Sequence, residues 1–236
     1  MIVAIHQPQY LPWVPYCDKA DSCDLFVYLD NVQYMRRGVQ NRNQIKTPRG
    51  AHWLTVPVHA AYDDPIKDVR IARDQNWQKD HILTIDHNYA QVMDGKRYTN
   101  GIKNVLSQPW ERLVDLNIAV TEWMFDQLGI ACRRIRASEL DAAGAKDDLI
   151  ISICKAVGAD VYLSGQGAKS YQDEAKFRQN GIELRYQHYH NLPYRQCFPE
   201  IGFIPDLSAL DLILNMGDEA RNIMLAGRET ADERRA

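Results

Sequence analysis

AKDDLIISICKAVGADVYLSGQGAKSYQDEAKFRQNGIELRYQHY, residues 145–189, decides the fold. Lys146–Val157 reads as a helix, Asp160–Leu163 as a strand, Lys169–Asn180 as a second helix closed by Gly181, and Ile182–Tyr189 as a second strand. Just upstream, Ala131–Arg136 reads as a strand too. Strand, helix, strand, helix, strand implies parallel pairing with right-handed crossovers. That is half of a doubly wound sheet, so the expected class is α/β with a Rossmann-like, mostly parallel sheet.

Toward the N-terminus, Ile2–Ile5 is a short apolar strand and Pro15–Asp21 forms one or two helical turns. Leu25–Leu29 is a continuous β-prone run ending in Asp30 and Asn31, the pattern of a buried strand. Residues 31–52 are polar and loop-like, with Arg36, Arg37, Arg42, Lys46 and Arg49; Trp53–Val58 and the short Val69–Ile71 read as strands. The middle is helical. Asn76–Ala90 places Trp77, Ile82, Ile85 and Tyr89 near helical spacing, and Trp110–Leu128 repeats the pattern with Gly129 as its C-cap. Leu207–Asn215 and Glu219–Leu225 are C-terminal helices. The expected organisation is one α/β domain over 1–227, with a helical insertion at about 74–128 and a flexible tail at 228–236.

A chain of 236 residues buries enough surface to fold without disulfides or metals. A net charge of −3 gives no global pull toward nucleic acid or an anionic membrane. No apolar run approaches a membrane span, and Met1–Trp13 lacks the regions of a signal peptide. Five scattered cysteines (17, 23, 132, 154, 197) without a CxxC pair fit reduced thiols, so a cytoplasmic location is expected.

In an open parallel sheet, ligands bind beyond the carboxyl ends of the strands. His6 follows the first strand and titrates near neutrality, which suits a general base; its alternative is to tie two loops together. Asp30 follows the second strand and would orient His6, hold a metal, bind a substrate hydroxyl, or form an Asx turn. Ser164, Gly165, Gln166 and Gly167 lie between a strand and a helix expected to carry Tyr171, where backbone N–H groups can meet an anion or simply turn the chain. Gln40–Lys46 is dense in amides and bases, as a solvated loop or a diphosphate or carboxylate site would be. Trp13, Trp53, Trp77 and Trp123 are assigned to the core. His188 and His190 share a strand face with no third ligand, and His81 and His87 are six residues apart, so no metal site is assigned. None of the cysteines reads as a nucleophile.

IHQPQYLPW (5–13), DLFVYLDNVQY (24–34), QNRNQIKTPRG (40–50), HWLTVPV (52–58), GADVYLSGQGAKSYQDEAKF (158–177), GIELRYQHY (181–189) and LSALDLILNMGDEA (207–220) together resemble the WbqC-like family over nearly the whole chain. The resemblance implies a role in making surface polysaccharide such as the O-antigen of lipopolysaccharide, on a nucleotide-linked amino sugar. The residues that match the family's strongest motifs are His6, Gln7, Pro8, Tyr10, Asp30, Gln33, Asn41, Arg42, Asn43, Lys46, Ser164, Gly165 and Tyr171.

The expected activity is a transferase forming an amide, by acyl or aminoacyl (glycyl-type) transfer to the sugar's amino group. His6 and Asp30 are the catalytic candidates. Gln7, Tyr10, Gln33, Asn41, Arg42, Asn43, Lys46, Ser164, Gly165, Gly167 and Tyr171 are the substrate-binding ones. The partners would be a nucleotide-linked sugar and an acyl or aminoacyl donor. An aminoacyl-tRNA donor would need a basic face, to which Arg133, Arg134 and Arg136 could contribute. A second reading is an ATP- and Mg²⁺-dependent ligase or nucleotidyltransferase. The strand, proline-containing loop and helix at the N-terminus are similar to those folds, although YLPW (10–13) stands where their second histidine would be. A third is a non-catalytic binding subunit of a polysaccharide assembly complex.

Overall fold

The computed structural model describes residues 1–90, 92 and 95–228. Its strands are β1 (Ile2–His6), β2 (Leu25–Tyr28), β3 (Arg42–Thr47), β4 (Gly50–Thr55), β5 (Val58–His59), β6 (Arg70–Ile71), β7 (Arg133–Arg136), β8 (Val161–Ser164) and β9 (Glu183–Tyr186). Its helices are α1 (Val14–Asp21), α2 (Trp77–Tyr89), α3 (Gly95–Leu106), α4 (Leu113–Gln127), α5 (Asp147–Val157), α6 (Glu174–Gln179), α7 (Ala209–Met216) and α8 (Ala220–Ala226).

Five strands form one parallel sheet in the order β7-β2-β1-β8-β9. Counted along the chain within that sheet, the order is 3-2-1-4-5, the doubly wound arrangement expected from the sequence. It follows from apolarity on both faces of the central strands. Val3, Ile5, Leu25 and Val27 join the cluster under α5 and α6, whereas Ala4, Phe26 and Tyr28 join the one under α1 and α4. The edge strands β7 (RRIR) and β9 (ELRY) carry charge instead, which discourages pairing with another sheet. Everything from Leu29 to Cys132 is inserted between β2 and β7, which are nonetheless neighbours.

Several boundaries differ from the sequence reading. The polar stretch 31–52 contains β3, which pairs antiparallel with β4 in a separate two-stranded sheet. Its buried Asn43 is satisfied by neighbouring backbone, Nδ2 donating to the Leu11 carbonyl at 2.7 Å, and Ile45 is wholly buried. Gly50, at φ +102°, closes that hairpin where other residues would be strained. The run 53–58 is broken at Val56 and Pro57, and β5 pairs with β6. The helix expected over 169–180 begins only at Glu174, because Asp173 caps it by accepting from the N–H groups of Ala175 and Lys176. Tyr171 therefore precedes α6 and is 74% exposed. Trp13 and Trp53 are not core residues: they are 38% and 44% exposed, and Arg42 lies 4.5 Å over the Trp53 ring.

The tail expected over 228–236 falls outside the described residues from 229 onward. Arg228 itself is anchored: its guanidinium pairs with Asp18, and with Asp21 at 2.5 Å. No helix among the described residues is long and apolar enough to cross a membrane, and none of their His, Cys, Asp and Glu side chains group as metal ligands would.

Candidate functional site at the switch point

The strand order reverses direction between β1 and β8, since one half of the sheet grows outward from each. At that point the loops beyond two neighbouring carboxyl ends depart to opposite sides and leave a crevice. β1 delivers His6 to it and β8 delivers Ser164 and Gly165, so two of the three stretches expected at the strand ends meet there.

His6 packs edge-on against Tyr16 of α1, ring centroids 4.7 Å apart. Its Nδ1–H donates to the Gln7 carbonyl at 3.2 Å, which leaves the Nε2 lone pair as the ring's acceptor. Burial, reinforced by the nearby Lys19 amine, holds the imidazole well below its ordinary pKa, so it is neutral at pH 7. The loop after it is braced from several sides. Gln7 accepts from Gln40 Nε2 at 2.7 Å, Tyr10 is buried with its hydroxyl 2.8 Å from His81 Nδ1, and Asn117 of α4 donates to the Gln40 carbonyl at 2.7 Å. Four side-chain oxygens lie buried without a hydrogen bond on these elements: Gln9 Oε1, Asn41 Oδ1, Asn117 Oδ1 and Thr121 Oγ1. Buried acceptors of this kind call for a donor from water or ligand.

Ser164 is buried and donates to Gln172 Oε1 at 2.8 Å. Gly165 sits at φ −80°, an ordinary backbone conformation, and opens a 3₁₀ turn over Gln166–Ala168. Its value is therefore its missing side chain. A Cβ there would have one neighbour, the Lys19 Nζ at 3.9 Å, and a Cβ at Gly167 would have none within 4 Å.

Lys19 was not among the residues singled out from the sequence. It is 3% exposed on α1, and among the described residues its amine makes no hydrogen bond or ion pair. Burial pulls its pKa down to about 7. Its acidic helix neighbours have other partners: Asp18 binds Arg228 and Gln187, and Asp21 binds Arg221 and Arg228. A sequence signal existed only in retrospect, as a lysine one turn beyond the buried Tyr16 on a short helix that follows the first strand.

Other expected residues are placed elsewhere or otherwise engaged. Asp30 is fully buried and accepts from the Ser138 N–H and hydroxyl at 2.9 and 2.7 Å, joining the ends of β2 and β7. Asn41 donates to the Val56 carbonyl at 2.9 Å, and Arg42 to the Arg37 carbonyl at 2.6 Å. Lys46 donates to the Gly202 carbonyl at 2.5 Å, beside a buried cluster in which Asp211 accepts from Tyr89 and Tyr194. Gln33 is exposed and donates to the Tyr62 carbonyl at 2.6 Å. Arg134 and Arg136 of β7 pair with Glu122 and Asp115. Grooves of about 310 Å³ at Glu174–Leu184 and about 670 Å³ between Tyr34 and Asp64 include no switch-point residue.

A model of the WbqC-like protein family matches residues 7–223, from the loop just after β1 through both halves of the sheet. The chain belongs to the WbqC-like protein family. It is 32% identical over 222 residues to an uncharacterized protein of Mycobacterium tuberculosis, Rv1507c, covering 92% of this chain and 95% of that one. No solved structure gives a significant match. In this WbqC-like chain the matched span takes in Lys19 and the turn at Ser164–Gly167.

Proposed function

We propose that this WbqC-like chain is a transferase that forms an amide on the amino group of a nucleotide-linked sugar destined for surface polysaccharide, with the β1–β8 crevice as its active site. The observation that carries the reading is a neutral His6, with Nε2 free to accept, at the switch point of a 3-2-1-4-5 parallel sheet. Sheets of this order take nucleotides at that point. An amine attacks an acyl carbon only once unprotonated; a neutral imidazole within reach takes its proton as the C–N bond forms and hands it to the donor's departing thiol or ribose hydroxyl as the C–S or C–O bond breaks. The buried acceptors on Gln9, Asn41, Asn117 and Thr121 suit a ligand rich in N–H and O–H donors, as an amino sugar or an amino acid is.

The same strand order also favours a second reading, ATP- and Mg²⁺-dependent activation of the carboxylate donor. The two separate in one experiment. The purified chain is incubated with nucleotide-linked amino sugars and either acyl-CoA, an aminoacyl-tRNA, or a free amino acid with ATP and Mg²⁺, and products are read by mass spectrometry. An acylated sugar nucleotide formed without ATP supports the first reading, and strict dependence on ATP the second. Binding of the sugar nucleotide without turnover in any arm overturns both and leaves a binding subunit.

A further inference from the structure

Buried lysines are rare, and those found are nearly always paired. Lys19 is not, although two carboxylates on its own helix, Asp18 and Asp21, are committed to arginines from the C-terminal part of the chain. Its amine lies beside Gly165, the residue just past the end of β8, 3.9 Å from where a Cβ there would sit. The titratable groups that face it are His6 from β1, a neutral imidazole at pH 7, and Cys23 beyond the end of α1. Cys23's thiol, which donates to the Ala20 carbonyl at 3.2 Å, is held above its usual range by the neighbouring Cys132 thiol and by burial. Neither supplies a negative charge. The crevice thus presents one desolvated amine, a neutral imidazole and a glycine surface, with no anion of its own.

We propose that Lys19 and the Gly165 turn form the binding site for a phosphoryl group of the nucleotide-bearing substrate, the anion completing a pair that the free protein lacks. This rests on the reading of the crevice as a nucleotide site and adds the residue that would hold the phosphate. The phosphoryl group, rather than the carboxylate of an acyl donor, follows from the strand order, which presents this crevice to nucleotides. An oxyanion entering a low-dielectric site beside an amine draws a proton onto that amine, so binding and protonation are linked.

The test uses inorganic diphosphate and UDP, neither of which needs turnover. In isothermal titration at pH 7, in two buffers of different ionisation enthalpy, the wild-type chain is expected to take up protons beyond those the diphosphate itself binds, because an amine with a pKa of about 7 is only partly charged before the anion arrives. Lys19→Met is expected to bind at least ~10-fold more weakly, as loss of a charge-assisted contact does, and to lose that uptake. The same variant is expected to melt about 5 °C or more higher, since it removes an unpaired buried amine; a lysine with a packing or ion-pair role would lower the melting temperature.

Diphosphate binding equal in wild type and variant overturns the proposal, as does acetate binding without diphosphate binding, or no binding of either probe by the wild type. Failure to form an amide product, with Lys19-dependent diphosphate binding intact, would overturn the transferase reading and leave this one standing.

Discussion

At the residue scale, His6 and Lys19 share one property with opposite uses. Both are drawn out of solvent near the end of β1, Lys19 almost wholly and His6 in part, and both are thereby kept from carrying their ordinary charge. For His6 the consequence is kinetic. His6→Ala should fold normally and lose at least ~100-fold in kcat, the usual scale of a general base, measured on the amide-forming reaction. Full turnover in the folded variant would assign the proton transfer elsewhere. For Lys19 the consequence is thermodynamic. Its folded pKa of about 7 lies below the ordinary ~10.4 of the unfolded chain. Between those values the unfolded state holds a proton that the folded state does not, so stability should rise from pH 7 toward pH 10. Denaturant titrations across that range should show the rise in the wild type and a flatter profile in Lys19→Met. His6 acts on the acid side: below about 6.5 the unfolded imidazole takes a proton the folded one refuses, so stability falls as the pH drops.

Gly165 completes the residue picture. At φ −80° the glycine has no conformational reason to be there. Gly165→Ala should leave the melting temperature within about 2 °C, since a Cβ there makes one ordinary contact. Gly165→Val, whose methyl groups extend toward the Lys19 amine, should weaken diphosphate binding without unfolding the chain. A folded valine variant that binds as tightly as wild type would separate the turn from the phosphate.

At the element scale, α1 carries Lys19, and Arg228 holds α1. Arg228 reaches Asp18 and Asp21 from beyond α8, and its backbone bridges to Tyr189. Asp18 is nearly inaccessible, so removing its partner strands a carboxylate that burial already disfavours as an ion. A chain ending at residue 227 should therefore melt well below one ending at 228, the cost being about 3–5 kcal/mol as for other broken buried pairs. Equal melting curves would show that Gln187 alone satisfies Asp18.

The elements also show what could be read from the sequence. The strands β1, β2 and β8 were legible because their residues are apolar on both faces, and only a covered parallel sheet asks for that. β3 was not, because RNQIKT has a polar strand's composition and its Asn43 is satisfied by the loop after β1, a partner some thirty residues away. The helix at 169–180 was overextended because Lys169, Ser170 and Tyr171 have no local feature that stops a helix; Asp173 starts one instead. In the site, His6 and Ser164–Gly165 could be placed from strand ends alone. Lys19 could not, since a lysine in PYCDKAD reads as a solvated helix position until the opposite strand covers it.

At the scale of the whole molecule, the candidate crevice lies between two halves of the chain, β1 with α1 on one side and β8 with its turn on the other. Neither half holds the site alone. Separately expressed fragments 1–130 and 131–236 should show no diphosphate binding singly, and should recover it on mixing only if they reassociate through β1 and β8, as followed by titration calorimetry. Binding by either fragment alone would place the phosphate outside the switch point.

The pairing of Ile2 with Val161 also sets a timetable. β1 is made well before its partner: the strand that covers its free edge follows about 160 residues later. At a synthesis rate of roughly 5–20 residues per second, that is an interval of about ten seconds or more in which an apolar strand waits with an unsatisfied edge. Contacts this distant also slow refolding, because the long loop must close before any pairing rewards it. The same β1–β8 contact that builds the crevice thus leaves an apolar edge open to mispairing until β8 emerges.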